Sequence, residues 1–264
     1  KDAYSFHETQ EDLEKYYKRV YDSYIKIFKR IGMKNFIVVQ SDSGMMGGRI
    51  AHEYMLLTPI GEDSIVICNN CGYKSNMEVA ISKRDEIEDE DLQPIEKVYT
   101  GDAKEISEVV ENLKLKDNSK TLKAVVFNIK GDLKANVLCF IRGDLEVNEA
   151  KLKKIVKKDI VPASLEDSNL IAGNIGPVGL KEDKNLIIVY DNSVKGLKNV
   201  VVGANENEYH FINACEGRDF VIDKTYDISK VQAGEKCSVC GSPLSIENGI
   251  EIGNIFQLGT RYTE

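Results

Sequence analysis

Two pairs of cysteines have the spacing of a metal site. Two residues separate Cys68 from Cys71, two separate Cys237 from Cys240, and a glycine follows each pair. This spacing lets both sulfurs of a pair reach one ion at about 2.3 Å, and the glycine permits a tight backbone turn. We predict that the four thiolates bind one structural Zn²⁺, which requires the distant pairs to meet in space. Four free thiols are the alternative, whereas a redox role is disfavoured because neither pair opens a helix after a strand.

A second group of candidates includes a loop rich in glycine, residues 173–179, with the sequence Gly-Asn-Ile-Gly-Pro-Val-Gly. Glycines let backbone N–H groups converge, and such a loop can hold a developing oxyanion, although a tight turn is the simpler interpretation. Lys120, Asp191 and His210, taken singly, are interpreted as a solvated charge, a turn or cap residue, and a hydrogen-bonded structural histidine.

The composition indicates a folded protein with an acidic surface. The chain has 264 residues, 42% of them hydrophobic, which is enough to bury two cores. A charged fraction of 30% with only 5 prolines argues against disorder. The net charge of −8 repels phosphate, so contact with nucleic acid would require local basic segments. On charge alone, an acidic enzyme with small-molecule substrates is the plain interpretation.

The sequence contains no targeting or membrane-spanning pattern. No apolar run approaches the roughly 18 residues needed to cross a bilayer, and no signal-peptide pattern opens the chain. The six cysteines, of which Cys139 and Cys215 are single, do not form a secreted disulfide framework. We therefore expect no membrane partner and a reducing, cytoplasmic compartment.

Hydrophobic periodicity predicts a mixed α+β protein. Residues 8–31 have apolar side chains at three- and four-residue steps, which predicts one amphipathic helix that ends at Gly32. The acidic stretch 81–94 is interpreted as a solvated linker. Short extended segments are predicted at residues 36–40, 51–58 and 62–68, and the glycine cluster 44–48 joins the first two as a hairpin.

Beyond the acidic stretch, residues 95–225 are predicted to form a self-contained α+β domain. A helix is predicted at residues 102–113. A second helix at residues 148–158 has a polar face of lysines, namely Lys151, Lys153, Lys154, Lys157 and Lys158. Strands are predicted at residues 122–129 and 135–142, joined by a turn at 131–132, and at 185–190, 199–203 and 210–215.

Segments at both ends of the chain resemble the class II catalytic core of bacterial-type prolyl-tRNA synthetases. They are residues 1–6, 41–48, 51–54 and 249–262. The intervening chain resembles the editing domain inserted in that family, and also free-standing aminoacyl-tRNA(Pro) deacylases, through residues 119–122, 173–179, 190–194, 203–205 and 210. The resemblance implies a class II antiparallel sheet with an inserted mixed α/β editing domain. It assigns residues 1–80 to the core, 95–225 to the editing domain and 230–264 to a segment that returns to the core.

For the insertion, the resemblance implies hydrolysis of Ala-tRNA(Pro), the error made when the synthetase accepts alanine. Lys120 would lie near the terminal adenosine or the ester carbonyl, while Asp191 and His210 would shape a small aminoacyl pocket. The loop, with Gly173, Gly176 and Pro177, would bind the carbonyl oxygen and the acceptor end. Thr100 and Asn205 would contribute to substrate binding, although Gly101 replaces the proline expected after Thr100.

The family pattern contains no nucleophilic triad, and the sequence shows none. An aminoacyl ester is already activated, so a bound water, a backbone oxyanion site and the neighbouring ribose hydroxyl could suffice for hydrolysis. Selection of alanine over proline would then be steric, because a pocket that holds one methyl group excludes the pyrrolidine ring.

For the core, the resemblance implies a proline pocket lined by Gly47, Gly48, His52, Glu53, Phe256, Gln257 and Gly259. The arginines that bind ATP and the third class II motif would lie outside this sequence. We therefore expect the chain to be a section of a longer polypeptide that does not itself activate proline. The parent would use ATP and Mg²⁺ to ligate proline to tRNA(Pro), and it would form a homodimer.

Two other functions stay open at this point. One is a catalytically silent, zinc-clamped module that binds the acceptor end of an RNA, and the other is a free-standing deacylase. The lysine-rich helix at 149–158 could face the acceptor stem of a tRNA, although a solvated helix face is the default interpretation.

Overall fold

The computed structural model of the chain describes residues 3–42, 48, 50–84, 90–163, 165, 168–181 and 183–260. Two compact units divide the chain: unit 1 is Lys1–Lys83 with Val231–Glu264, and unit 2 is Arg84–Lys230. Both units contain helix and sheet, which confirms the predicted α+β class. The predicted editing segment, residues 95–225, falls within unit 2.

The elements follow one another in a mixed order along the chain. They are α1 Gln10–Arg30, β1 Phe36–Gln40, β2 Ala51–Leu57, β3 Asp63–Ile67, β4 Lys74–Asn76, β5 Ser82–Lys83, β6 Glu96–Tyr99, α2 Ile106–Asn112, β7 Leu122–Ile129, β8 Asp132–Arg142, α3 Glu149–Val156, β9 Ile160–Pro162, β10 Leu186–Asp191, β11 Val200–Gly203, β12 Tyr209–Ala214, β13 Thr225–Tyr226, β14 Lys236–Cys237 and β15 Ser245–Phe256. Short 3₁₀ turns at Asn118–Lys120 and Asn192–Val194 precede β7 and follow β10.

Unit 1 is a small barrel covered by α1. The strands close in the order β1, β2, β15, β3, β4, and all neighbours are antiparallel except β1 and β4. Thr9 caps α1 by accepting a hydrogen bond from the Asp12 N–H, which satisfies one of the free amides of the first turn. The aromatic face of the helix packs on Tyr54 and Ile255, so the periodicity of the sequence correctly identified its buried side.

Unit 2 contains a five-stranded sheet in the order β13, β10, β8, β7, β9 and a three-stranded sheet in the order β11, β12, β6. The predicted hairpin is confirmed as β7 and β8, although β8 begins at Asp132, earlier than the sequence pattern indicated. Phe140 and Leu138 of β8 are fully buried in one core, and Val137 and Ile141 are fully buried in another. Among the described residues, no helix has the length and apolar character needed to cross a bilayer.

One prediction about a surface segment is wrong. Lys151 is not on a solvated helix face: it is buried, and its Nζ lies 2.9 Å from both carboxylate oxygens of Asp227. This partner is distant in sequence, so a local charge pattern cannot reveal it. In the acidic stretch 81–94 most of the described residues are exposed, Ser82–Lys83 forms β5, and the Gln93 N–H donates to Asn199 Oδ1.

Candidate active site and candidate metal centre

A small cavity of about 230 Å³ in unit 2 is lined by two of the predicted site residues. Its walls come from the chain before and within α2, the start of β7, the glycine loop, and strands β11 and β12. The lining residues are Lys104, Glu105, Ile106, Val109, Thr121, Leu122, Lys123, Ala124, Gly173, Ile175, Val201, Gly203 and His210. Gly173 and His210 were predicted site residues, and Lys120 immediately precedes the lining residue Thr121.

His210 is held as a buried, neutral imidazole. The Thr100 hydroxyl lies 2.7 Å from Nδ1, closer than the 3.2 Å to the Glu208 carbonyl oxygen. The hydroxyl donates to the Glu208 carbonyl oxygen, and its roles toward Nδ1 depend on the tautomer of the ring. Burial lowers the pKa of His210, and a hydrogen bond with the Gly173 backbone opposes this shift. The imidazole therefore contacts both Thr100 and the glycine loop.

The glycine loop is packed directly on the end of β11. A Cβ on Gly176 would lie 1.9 Å from the Gly203 carbonyl oxygen, and a Cβ on Gly203 would lie 2.3 Å from the backbone of Asn174. Such contacts are possible only between glycines, because any side chain would overlap the facing backbone. The Gly176 N–H donates to Asn205 Oδ1 at 3.0 Å, so this amide is already used within the protein.

Lys120 ends the 3₁₀ turn at Asn118–Lys120 and is half-exposed. Its Nζ lies 2.7 Å from Glu90 Oε1, at the end of the acidic stretch. Lys123, which lines the cavity, forms a similar ion pair with Glu146 at 2.7 Å. The two cations at this end of β7 are therefore each paired with a carboxylate.

Asp191 and Pro177 are not among the residues that line the cavity. Asp191 is fully buried, and its carboxylate accepts hydrogen bonds from the Ser193 and Ile228 N–H groups at 2.8 and 2.9 Å. These contacts cap the second 3₁₀ turn and join β10 to the chain that follows β13. The geometry gives Asp191 a structural environment, one step removed from the cavity.

The four paired cysteines meet at one point in unit 1. Their sulfurs all lie within 4.8 Å of one another, with 3.5 Å between Cys68 and Cys240 and 3.7 Å between Cys71 and Cys237. Four thiolates placed tetrahedrally at about 2.3 Å from Zn²⁺ would be separated by about 3.8 Å. The four cysteines can therefore hold a metal ion.

The backbone around the two pairs is nearly the same. Gly72 donates to the Cys68 carbonyl at 3.0 Å and has φ of 78°, while Gly241 donates to the Cys237 carbonyl at 2.9 Å and has φ of 76°. This conformation is left-handed and favours glycine. The Val239 N–H also points at the Cys237 sulfur, 3.4 Å away. The two turns present their sulfurs in the same way, as expected of paired knuckles around one ion.

Three of the residues predicted to line a proline pocket, His52, Glu53 and Phe256, lie on the paired strands β2 and β15 of unit 1. His52 and Glu53 of β2 face Ile255 and Asn254 of β15. His52 Nδ1 lies 2.9 Å from the Tyr17 hydroxyl, and burial lowers the pKa of His52.

Glu53 accepts hydrogen bonds from the Ser41 hydroxyl and from Asn76 Nδ2. Gln257 is buried, and a Cβ on Gly48 would overlap its carbonyl oxygen. Phe256 is half-buried and Gly259 is exposed, whereas Gly47 lies outside the described residues.

A wider groove of about 650 Å³ crosses the barrel near the ends of β1, β2 and β15. Its lining includes none of the residues that the sequence singled out. The smaller cavity of unit 2 is the stronger candidate for an active site, because it combines the buried histidine, the glycine loop and two lysines.

Sequence reasoning missed most of the apolar lining of the cavity. Ile106 and Val109 belong to the predicted helix, and Leu122 and Ala124 belong to the predicted strand. Their apolar character was interpreted as core packing. Only the structure shows that residues of α2 and β7 line the same cavity.

Residues 100–220, which contain every residue that lines the cavity, match the family described as aminoacyl-tRNA editing domain. This part of unit 2 is therefore similar to aminoacyl-tRNA editing domains, which confirms the resemblance predicted from the sequence.

The whole chain is also related to bacterial proline–tRNA ligases. It is 42% identical over 270 residues to the enzyme from Halothermothrix orenii, 40% over 271 residues to that from a Thermoanaerobacter species, and 41% over 268 residues to that from a Sulfurihydrogenibium species. Each alignment covers 100% of this chain and 46% of the relative. The chain thus resembles the bacterial-type prolyl-tRNA synthetases along its entire length, as predicted, and spans about half the length of the curated relatives it matches.

Proposed function

We propose that unit 2 hydrolyses Ala-tRNA(Pro) and that its 230 Å³ cavity receives the alanyl group. The observation that carries this proposal is the position of that cavity within the editing-domain match, walled by the glycine loop and His210. Pockets for drug-sized ligands usually measure about 300–1,000 Å³, so this one suits a smaller group such as a single amino acid.

In the proposed reaction, a water molecule attacks the ester carbonyl carbon of the bound alanyl group. The bond to the ribose oxygen breaks, a proton reaches that oxygen, and alanine and free tRNA result. The vicinal ribose hydroxyl is held next to the ester and is suited to transfer the proton. His210 would hold the loop and the wall of the cavity through its contacts with Thr100 and the Gly173 backbone.

We propose that selectivity is steric. Apolar side chains of α2 and β7 line the cavity, and a wall closely packed around the methyl group of alanine would exclude the pyrrolidine ring of proline. Exclusion by overlap with a closely packed wall discriminates more strongly than the loss of a single favourable methylene contact.

For the metal centre, we propose Zn²⁺ bound by Cys68, Cys71, Cys237 and Cys240. Support comes from the all-thiolate donor set, the tetrahedral spacing of the sulfurs and the two matching glycine turns. All four positions are taken by protein ligands, which is typical of a structural ion. Zinc here would join the two sequence-distant halves of unit 1.

For the whole protein, we propose ligation of proline to tRNA(Pro) with ATP and Mg²⁺ by a homodimer. The names and identities of the relatives support this assignment. Unit 1 would supply part of a class II core, with His52, Glu53 and Gln257 beside the proline site.

The decisive experiment measures alanine released from purified Ala-tRNA(Pro), with Pro-tRNA(Pro) as the parallel substrate. We expect the chain to release alanine at a rate well above the spontaneous rate and to leave Pro-tRNA(Pro) intact. Equal hydrolysis of both esters would refute steric selection. Binding of both without hydrolysis would instead indicate a catalytically silent RNA-end module.

Removing the carboxylate next to Lys120 is expected to strengthen tRNA binding. The Glu90→Gln variant leaves Lys120 unpaired, so one more cation is available to an RNA phosphate. We expect KM for Ala-tRNA(Pro) to fall about 3-fold at low salt and the slope of log KM against log salt to steepen by up to about 0.7, the value for one phosphate contact on a single strand. A matched control is Glu146→Gln beside Lys123. An unchanged salt slope for Glu90→Gln would show that Lys120 does not reach phosphate.

The histidines make the stability of the chain depend on pH. Burial lowers the pKa of His210 and of His52, whereas both have a pKa near about 6.5 when unfolded. As the pH falls below about 6.5, these histidines bind protons in the unfolded chain before they do so in the folded chain. The free energy of unfolding therefore decreases with falling pH until the pKa of the folded state is reached. We expect the thermal unfolding midpoint to decrease as the pH is lowered from 7.5 to 5. We expect His210→Gln to make this decrease smaller. His7→Gln is the control, and an equal reduction there would contradict the assignment.

A further inference from the structure

Asn205 makes a set of hydrogen bonds that all end on the glycine loop. Its Nδ2 donates to the Gly176 carbonyl at 2.9 Å and to the Val178 carbonyl at 3.0 Å. Its Oδ1 accepts from the Gly176 N–H at 3.0 Å, and its own N–H donates to the Asn174 carbonyl at 2.8 Å. Both amide protons of the side chain are thus committed to the loop.

The backbone of Asn205 is suited to this contact. Its φ of 53° lies in the left-handed region, which asparagine tolerates better than most residues. The turn that begins there is closed by the Ala204 N–H, which donates to the Tyr209 carbonyl at 3.2 Å. Asn174 Nδ2 donates to the same Tyr209 carbonyl, also at 3.2 Å. The loop and the turn between β11 and β12 are therefore joined from both sides.

The clamped loop forms one wall of the cavity, through Gly173 and Ile175, and it faces Gly203 across a direct backbone contact. A shift of the loop would change the position of every backbone group that faces the ester. Misplacement of reacting groups by about 1 Å can cost on the order of 100-fold in rate.

We propose that Asn205 is a positioning residue for deacylation, which acts by fixing the glycine loop and does not contact the substrate itself. This inference rests on the proposed function of unit 2. It differs from the sequence-based expectation that Asn205 binds substrate, because the side-chain amide donates both of its protons to loop carbonyls.

The test uses two substitutions, one that keeps the shape of the side chain and one that removes the side chain. Asn205→Asp keeps the shape and the acceptor for Gly176 N–H, but places an oxygen against two carbonyl oxygens. Asn205→Gly keeps the left-handed backbone and removes the clamp. Asn213→Asp is the matched control, since Asn213 has φ of 58° and donates its amide to the Pro94 carbonyl, away from the cavity lining.

We expect both Asn205 variants to lower kcat for Ala-tRNA(Pro) by about 10- to 100-fold with KM changed less than about 3-fold. Asn213→Asp should stay within about 2-fold of the wild type. In Asn205→Gly, amide hydrogen exchange at Gly176 should be faster while global unfolding is little changed.

A rise in KM with kcat retained would overturn the proposal in favour of substrate contact. Full activity of Asn205→Gly would overturn it as well. Absence of alanine release by the wild-type chain would refute the proposed function itself. This assay is separate from the comparison of the variants, so the two failures can be distinguished.

Discussion

Gly176→Ala should lower the rate of alanine release from Ala-tRNA(Pro) by about 100-fold or more. The new Cβ would stand 1.9 Å from the Gly203 carbonyl oxygen, so the loop and β11 must separate by more than 1 Å. Because Gly203 and the loop form adjoining walls of the cavity, this separation displaces the groups that hold the ester. The measurement is single-turnover deacylation, which reports the chemical step without product release.

Gly179→Ala is the matched control for this substitution. Gly179 belongs to the same loop, and a Cβ there meets nothing within 4 Å, although φ of 67° makes any side chain strained. We expect a stability loss of about 1 kcal/mol and a rate within about 3-fold of the wild type. Equal rate losses in the two variants would mean that loop strain, and not the contact with Gly203, governs activity.

The second large effect is expected at the cysteine cluster. The purified chain should contain one zinc ion, and Cys68→Ser or Cys237→Ser should abolish stoichiometric zinc. Binding of a structural zinc contributes roughly 10–16 kcal/mol in zinc-finger peptides, so its loss should lower the unfolding midpoint of unit 1 by tens of degrees or prevent its folding. Metal analysis of the native chain and thermal unfolding with and without a chelator provide the measurements.

Cys139→Ala distinguishes loss of a metal ligand from loss of a buried thiol. Cys139 is fully buried in unit 2 and is not part of the cluster. We expect this variant to retain one zinc and to lose only about 1–2 kcal/mol. A native chain that contains no zinc after growth in zinc-supplemented medium, with a midpoint insensitive to chelator, would show that the cluster consists of free thiols.

Local periodicity predicted the elements whose burial is decided by their own sequence. The apolar stripe of α1, with Tyr17, Tyr24 and Phe28, is the face that packs on the barrel. The hairpin of β7 and β8 followed from two apolar runs around Gly131, which has φ of 89°. The convergence of the cysteine pairs could also be predicted, because the chemistry of one ion requires it.

Contacts between distant segments could not be predicted in the same way. Lys151 looked like its lysine neighbours on α3, and only Asp227 and the Ser229 carbonyl explain its burial. Asp191 was predicted to shape the aminoacyl pocket, and the sequence did not indicate that its carboxylate accepts hydrogen bonds from two backbone amides. For Asn205, the sequence indicated that the residue belongs to the region of the site. It did not indicate that the side-chain amide donates to carbonyls of the glycine loop.

The ends of unit 2 close on each other within the unit itself. Arg84, its first residue, donates from Nη2 to the Ser229 hydroxyl at 2.6 Å, one residue before the unit ends at Lys230. A module whose entrance and exit are neighbours can be spliced into a surface connection of a host, or removed from it, at little entropic cost to loop closure. The two ends of unit 2 therefore have the geometry of an insertion, because a host chain can enter and leave the unit at neighbouring points of its surface.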